Sequence, residues 1–217
     1  MTHLKRQSVP KRWPVARKGT PFVVKPNFNQ ERGIPLLIAL RDMLKLCQNR
    51  KEAKRAIYEK KIFVNSKEAK DEKNTLTLFD TIGILSAKKY YRVILTKRGK
   101  YSLEEITEKE SAFKISRIIK KKTLNGKKIQ INFRDGKNFI SDMKCSIGDS
   151  GLINMKDKKI EKCLQLREKA KVIIVEGKHS GKVGAIEKIK SERKMVKINF
   201  GKDEDINVLI KQIMVIE

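Results

Sequence analysis

The stretch Lys171-Val172-Ile173-Ile174-Val175-Glu176-Gly177-Lys178-His179-Ser180-Gly181-Lys182-Val183-Gly184 sets three glycines and three basic side chains in a predicted strand–loop–strand. Gly177, Gly181 and Gly184 permit a tight loop and a close approach of backbone to a partner. Lys178, His179 and Lys182 would carry charge and hydrogen-bond donors to its tip. A phosphate-binding P-loop also combines Gly and Lys, but it ends in Gly-Lys-Ser/Thr and opens a helix. This segment does neither, and that reading is rejected. A second concentration of chemistry is Arg50, Lys51, Lys54 and Arg55, with Arg41 and Lys45 before it and Lys61 after it. A guanidinium can grip phosphate through two donors, whereas an ammonium acts as a point charge. A basic helix is often only a solvated face. Here the bases cluster on one helix start beside a hairpin, which favours RNA contact.

Other chemistry is thinly represented. Cys47, Cys145 and Cys163 are far apart, and His3 and His179 are remote from each other, so no metal site is predicted. An odd count of cysteines with no Cys-x-x-Cys fits idle thiols in a reducing compartment. Asp135 and Asp149 each adjoin a glycine, where turn chemistry explains them better than catalysis. No catalytic residue and no cofactor is expected.

The charge balance points the same way as the clusters. Fifty-two Lys and Arg against 25 Asp and Glu leave +27 on 217 residues. A Lys-rich genomic bias would raise acids and bases together, and the acids have not kept pace. Self-repulsion on this scale calls for a polyanion, and phosphate neutralisation with counterion release makes nucleic acid the default. No stretch approaches the roughly 20 apolar residues of a membrane span, and the start lacks an apolar signal core.

The elements that must position these groups divide the chain in four. Residues 1–33 read as an extended basic arm: Lys5, Arg6, Lys11, Arg12, Arg17 and Lys18 stand between prolines that forbid a continuous helix. Trp13 within it either stacks on RNA bases or packs back on the next domain. So basic a segment lacks its own core and is expected to be unordered before assembly. Residues 34–98 open with a helix bearing Leu37, Leu40, Leu44 and Cys47 on one face. Asn49 and Glu52 form a capping box for a second helix near Arg50. Ile62–Val64, a tight Asn65-Ser66 turn and a strand from Lys67 follow. Residues 99–167 carry short strands separated by Asn125-Gly126, Asp135-Gly136 and Asp157-Lys158, which suggests a barrel or sandwich. One helical turn is expected within 104–112. Residues 168–217 form a small barrel with further strands at 195–200 and 206–215. The fold class is therefore α+β and β-rich, in several domains.

Three resemblances follow from these residues. The loop around Gly177–Gly184 resembles a KOW motif of ribosomal proteins and transcription elongation factors, which implies an SH3-like barrel. Leu40-Arg41-Asp42, the Arg50–Arg55 run and Phe63-Val64-Asn65 resemble the alpha-L RNA-binding module. That family usually has Gly where Ser66 stands, which leaves the turn type open. Taken in order, His3-Leu4-Lys5-Arg6, Pro10, Trp13, Lys18, Pro26, Pro35-Leu36, Phe113-Lys114-Ile115, Gly126-Lys127, Asp135-Gly136-Lys137-Asn138 and Gly148-Asp149 resemble the archaeal and eukaryotic-type small-subunit ribosomal protein S-four-e family. After Pro26 that family commonly has Gly-Pro-His, where this chain has Asn27-Phe28-Asn29.

The resemblance implies a non-enzymatic constituent of the cytoplasmic small ribosomal subunit. Its partners would be ribosomal RNA and neighbouring ribosomal proteins, with no membrane and no small-molecule substrate. The alternative is a free ribosome-assembly or transcription-type RNA-binding factor with a KOW domain. An alpha-L-bearing enzyme would need a larger catalytic domain than residues 77–217 supply.

Overall fold

The computed structural model describes residues 3–190, 194–201 and 205–217, the side chain of Lys127 aside. It is β-rich and gathers into two compact units, one within 1–95 plus Lys100–Ala112, the other Thr96–Gly99 with Phe113–Glu217.

In the first unit, β1 (Leu4–Lys5) pairs with β2 (Phe22–Val23), Leu4 opposite Val23. The basic N-terminal segment is thus folded back, where an extended arm was expected. Two side chains explain why. The Arg6 guanidinium donates to the Thr20 carbonyl at 2.6 Å, the Ala16 carbonyl at 2.6 Å and the Thr20 hydroxyl at 2.9 Å. Trp13 is 2% exposed, and its indole N–H donates to the Gln30 carbonyl at 3.2 Å. A buried aromatic of this size supplies the anchoring core that the segment's composition lacks.

Strand β3 (Gly33–Pro35) leads into α1 (Leu36–Ile38), which widens to a π-type turn over Ala39–Met43. Leu36 to Leu40 are all buried, so this helix is enclosed rather than one-sided. Lys45, at φ 54°, stands just past its end; Leu44 is half-buried, and Cys47 is buried beyond the helix that was expected to carry it. The helix α2 (Arg50–Tyr58) begins where the capping residues put it. The Asn49 side chain accepts from the Glu52 N–H at 3.0 Å, and the Glu52 carboxylate accepts from the Gln48 N–H at 2.7 Å. Ala53 and Ile57 are its buried side.

Strands β4 (Ile62–Val64) and β5 (Lys67–Glu68) meet through Asn65 at φ 51° and Ser66 at φ 62°. Two positive angles are the signature of a type I′ hairpin turn. The Asn65 side chain holds the turn, donating to Asp80 at 2.6 Å and accepting from the Thr81 N–H at 3.1 Å. Strand β6 (Thr75–Thr77) pairs with β3. With β7 (Thr81–Ile84), β8 (Lys89–Leu95) and β9 (Tyr101–Ile106), the main sheet runs β5-β4-β7-β8-β9. Residues 104–106 are strand, paired Arg92↔Glu104 and Tyr91↔Glu105, so the helical turn expected within 104–112 falls in the second half of that span. Helix appears only at α3 (Glu108–Ser111), started by the Thr107–Glu110 capping box.

The second unit holds two antiparallel sheets. Strands β10 (Phe113–Thr123), β11 (Ile129–Phe133), β12 (Asn138–Ile140), β13 (Ser150–Asn154) and β14 (Lys159–Leu164) run in the order β12-β11-β10-β13-β14. Ile118, Ile131, Phe133 and Ile153 centre their core. Strands β15 (Lys171–Ile174), β16 (Val183–Lys190), β17 (Met195–Asn199), β18 (Asp205–Leu209) and β19 (Ile213–Val215) run in the order β18-β17-β16-β15-β19. The expected strand at 206–215 is broken by a 3-10 turn at Ile210–Gln212, which lets β19 cross over and pair with β15. Val172, Ile174, Ile186, Val196 and Ile198 form a separate core.

Candidate nucleic-acid interface

The first unit brings basic residues from distant sequence positions to one open groove. Arg6 and Lys25 of the N-terminal segment line it together with Arg41, Arg50 and Lys73. Lys25 and Lys73 were not singled out in the sequence, since neither lies in a cluster. Lys5, Lys11, Arg17 and Lys18 are exposed along the folded segment, and Arg12 is half-buried. The Arg12 carbonyl accepts from the Tyr101 N–H at 2.9 Å, which ties this part of the segment to β9. Trp13 is the exception among the expected RNA-contacting residues. Its ring faces are covered, so of its two readings the structure takes packing, and base stacking is not available to it.

Most bases around α2 are held by acids. Arg41 is bidentate on Asp42, both bonds at 2.9 Å, and this hydrogen bonding raises its already high pKa. Arg50 donates through Nε to Glu72 at 3.0 Å, and Lys54 lies 3.8 Å from the same carboxylate, itself nearly buried. Arg55 and Lys61 share Glu59 at 2.8 and 2.5 Å. Hydrogen bonds from Lys61 and then Arg55 hold that carboxyl below the usual range. Lys51 is exposed with no ion pair among the described residues, and Lys45 is exposed where the chain turns out of the π-type helix. The acids orient these cations and also offset part of their charge. The more exposed pairs, on Asp42 and Glu59, add little to stability and remain open to competition by phosphate.

The glycine loop of the second unit takes the shape its residues call for. Gly177 and Gly181 sit at φ 95° and 88°, and a Cβ on Gly181 would lie 1.8 Å from the Thr96 carbonyl oxygen. Lys178 is exposed at the tip and His179 is half-buried. Lys182 lies over the Phe200 ring, 5.4 Å from its centroid. Such a cation–π contact holds the ammonium near the loop surface. The loop and the groove belong to different units, so each is a separate element of binding surface.

The structure also brings together groups that the sequence kept apart. Cys145 and Cys163 meet in the second unit's core, with Asp149 3.7 Å from the Cys163 sulfur. Burial, then the neighbouring Cys145 thiol, pushes the Cys163 thiol above its ordinary pKa, as suits an inert packed sulfhydryl. Lys120, Lys121, Lys122 and Lys128, on β10 and at the entry to β11, were missed as binding candidates. The signal was present: from Arg117 to Arg134 the chain has seven Lys and Arg and no acid.

Known proteins match this arrangement over most of its length. Residues 87–160 match the model of the ribosomal family S4e, and residues 2–28 match the RS4NT domain. The small ribosomal subunit protein eS4 of Methanocella arvoryzae is 38% identical over 88% of this chain and 82% of that protein. Its counterpart from Archaeoglobus fulgidus is 33% identical over 99% of this chain and 92% of its own length. The crystal structure of the 30S ribosomal protein S4e from Thermoplasma acidophilum superposes with a TM-score of 0.72 at 26% identity, covering 85% of this chain and 95% of that one. With the fold, the N-terminal segment and the sequence all in agreement, this chain belongs to the S4e family of ribosomal proteins.

Proposed function

We propose that the chain is a structural constituent of the small ribosomal subunit, held on ribosomal RNA by phosphate and shape contacts. The observation that carries this reading is the match to small-subunit proteins across 82% to 92% of their length. The basic groove of the first unit supports it physically, because a concave row of Arg and Lys suits a sugar–phosphate backbone. Residues 34–98 act as an alpha-L module, in which Arg41, Arg50, Lys51, Lys54, Arg55 and Lys61 face phosphates. Residues 168–217 act as a KOW barrel, presenting Lys178, His179 and Lys182 to RNA. Of residues 99–167, strands β10 to β14 make up the central domain, β9 and α3 belonging to the first unit. Lys5, Arg6, Lys11, Arg12, Arg17 and Lys18 of residues 1–33 follow the RNA surface. Sequence-specific base reading is minor, because A-form helices are recognised mainly by backbone and shape. The work is assembly and attachment in the cytoplasm, beside other ribosomal proteins, and not catalysis.

Sedimentation of cell lysate after a high-salt wash tests this, with the chain counted per small subunit. The expected result is one copy per subunit, retained through the wash. Substoichiometric protein in the light fractions would instead identify a free assembly or transcription-type factor.

A further inference from the structure

The outer face of the β10–β11–β12 sheet is set up by a single irregularity. Ile118 pairs with Phe133 and both are buried, but the register shifts before Lys120, which pairs with Asn132. In unbroken register Lys120 would stand opposite Ile131, on the core face. The bulge at Ile119 instead turns Lys120 and Lys122 outward, opposite Asn132 and Gln130. Strand β12 extends both rows, with Asn138 opposite Asn132 and Ile140 opposite Gln130. Lys120 and Lys122 are exposed, with no ion pair among the described residues. Gln130 Nε2 donates to Asn132 Oδ1 at 3.2 Å, leaving the Gln130 carbonyl and the Asn132 amide nitrogen without a further partner among the described residues. Beneath this face, Ile131 and Phe133 lock the strands into the core, so the face is rigid before any ligand arrives.

We propose that this face docks on the minor groove of a double-helical RNA segment, a reading that rests on the RNA-bound role above. Lys120 and Lys122, about 6.6 Å apart along one strand, meet successive phosphates. Gln130 and Asn132 hydrogen-bond the 2′-hydroxyls between them. Three features choose this ligand. The run is acid-free, which favours a polyanion over a protein surface of mixed charge. The paired rows of this face carry no aromatic side chain, so the stacking on which single-strand binders depend is missing from them. Amide side chains beside lysines suit the wide, shallow minor groove of A-form RNA, where 2′-hydroxyls are displayed.

The test is titration of the full chain with an RNA duplex and with a DNA duplex of the same sequence, across a salt series. The variant K120Q/K122Q should bind RNA with a salt slope shallower by about 1.8, at about 0.9 per phosphate lost. In Q130L/N132L the salt slope should hold while the preference for RNA over DNA falls toward one. Both pairs lie on the outer face, and thermal melting checks that each variant is folded. An unchanged slope in K120Q/K122Q overturns the proposal while leaving the RNA-bound role standing. Equal losses for RNA and DNA in Q130L/N132L overturn the 2′-hydroxyl contact. Should the unaltered chain bind neither duplex nor ribosomal RNA, the proposed function itself fails.

Discussion

The α2 region of the first unit and the β10–β11 hairpin of the second carry similar positive charge in opposite ways. Around α2, Arg41, Arg50, Lys54, Arg55 and Lys61 are each oriented by Asp42, Glu59 or Glu72. On the hairpin, Lys120, Lys121, Lys122 and Lys128 have no acid partner among the described residues. A cation held by a carboxylate is aimed in advance, but that pairing must be loosened before phosphate takes over. A free lysine has its full charge available and loses more side-chain freedom on binding. The first arrangement favours geometry and the second raw electrostatic attraction. Neither region's charge can therefore be judged from residue counts alone.

The largest expected effects concern burial, and they separate structural charge from binding charge. Asp135→Ala would strip Lys114, 1% exposed and 2.6 Å away, of its carboxylate. Breaking a buried ion pair by removing one partner costs about 3–5 kcal/mol, read by urea denaturation. Trp13→Ala should cost a similar amount, about 3–5 kcal/mol for a buried aromatic. A melting point unmoved by that change would return residues 3–32 to the status of a free arm. Smaller is Asn49→Ala, which removes the cap of α2 at about 1 kcal/mol and loosens the helix that aims the bases. The smallest effect on stability, and the sharpest on the comparison, comes from Glu59→Gln. Releasing Arg55 and Lys61 should leave the melting point in place while steepening the salt slope of RNA binding. A slope that stays the same would mean that the acid-held bases do not reach phosphate.

Local chemistry was legible in the sequence wherever the cause lay within a few residues. Asn49 and Glu52 marked the start of α2, and Asn65-Ser66 marked the hairpin, because capping and turn geometry are settled by neighbours. The turn type was not legible, since the positive φ of Ser66 is secured by Asn65 reaching Asp80, 15 residues on. Distance hid the rest. Nothing near Arg6 in sequence shows that its guanidinium also closes the loop at Ala16 and Thr20, 10 and 14 residues on. Glu72 lies 22 residues from Arg50, so no helical spacing could pair them. The bulge that turns Lys120 outward depends on register with β11, which periodicity does not report. The acid-free run of 117–134 could have been found by charge patterning alone.

The proposed attachment to ribosomal RNA runs through both units. Cross-linking of intact small subunits, with mass spectrometry of the RNA-linked peptides, measures this directly. The predicted result is ribosomal RNA linked to peptides from the α2 region, residues 41–61, and from the hairpin, residues 117–134. Links from this chain to protein neighbours alone, with no RNA adduct in either segment, would contradict it.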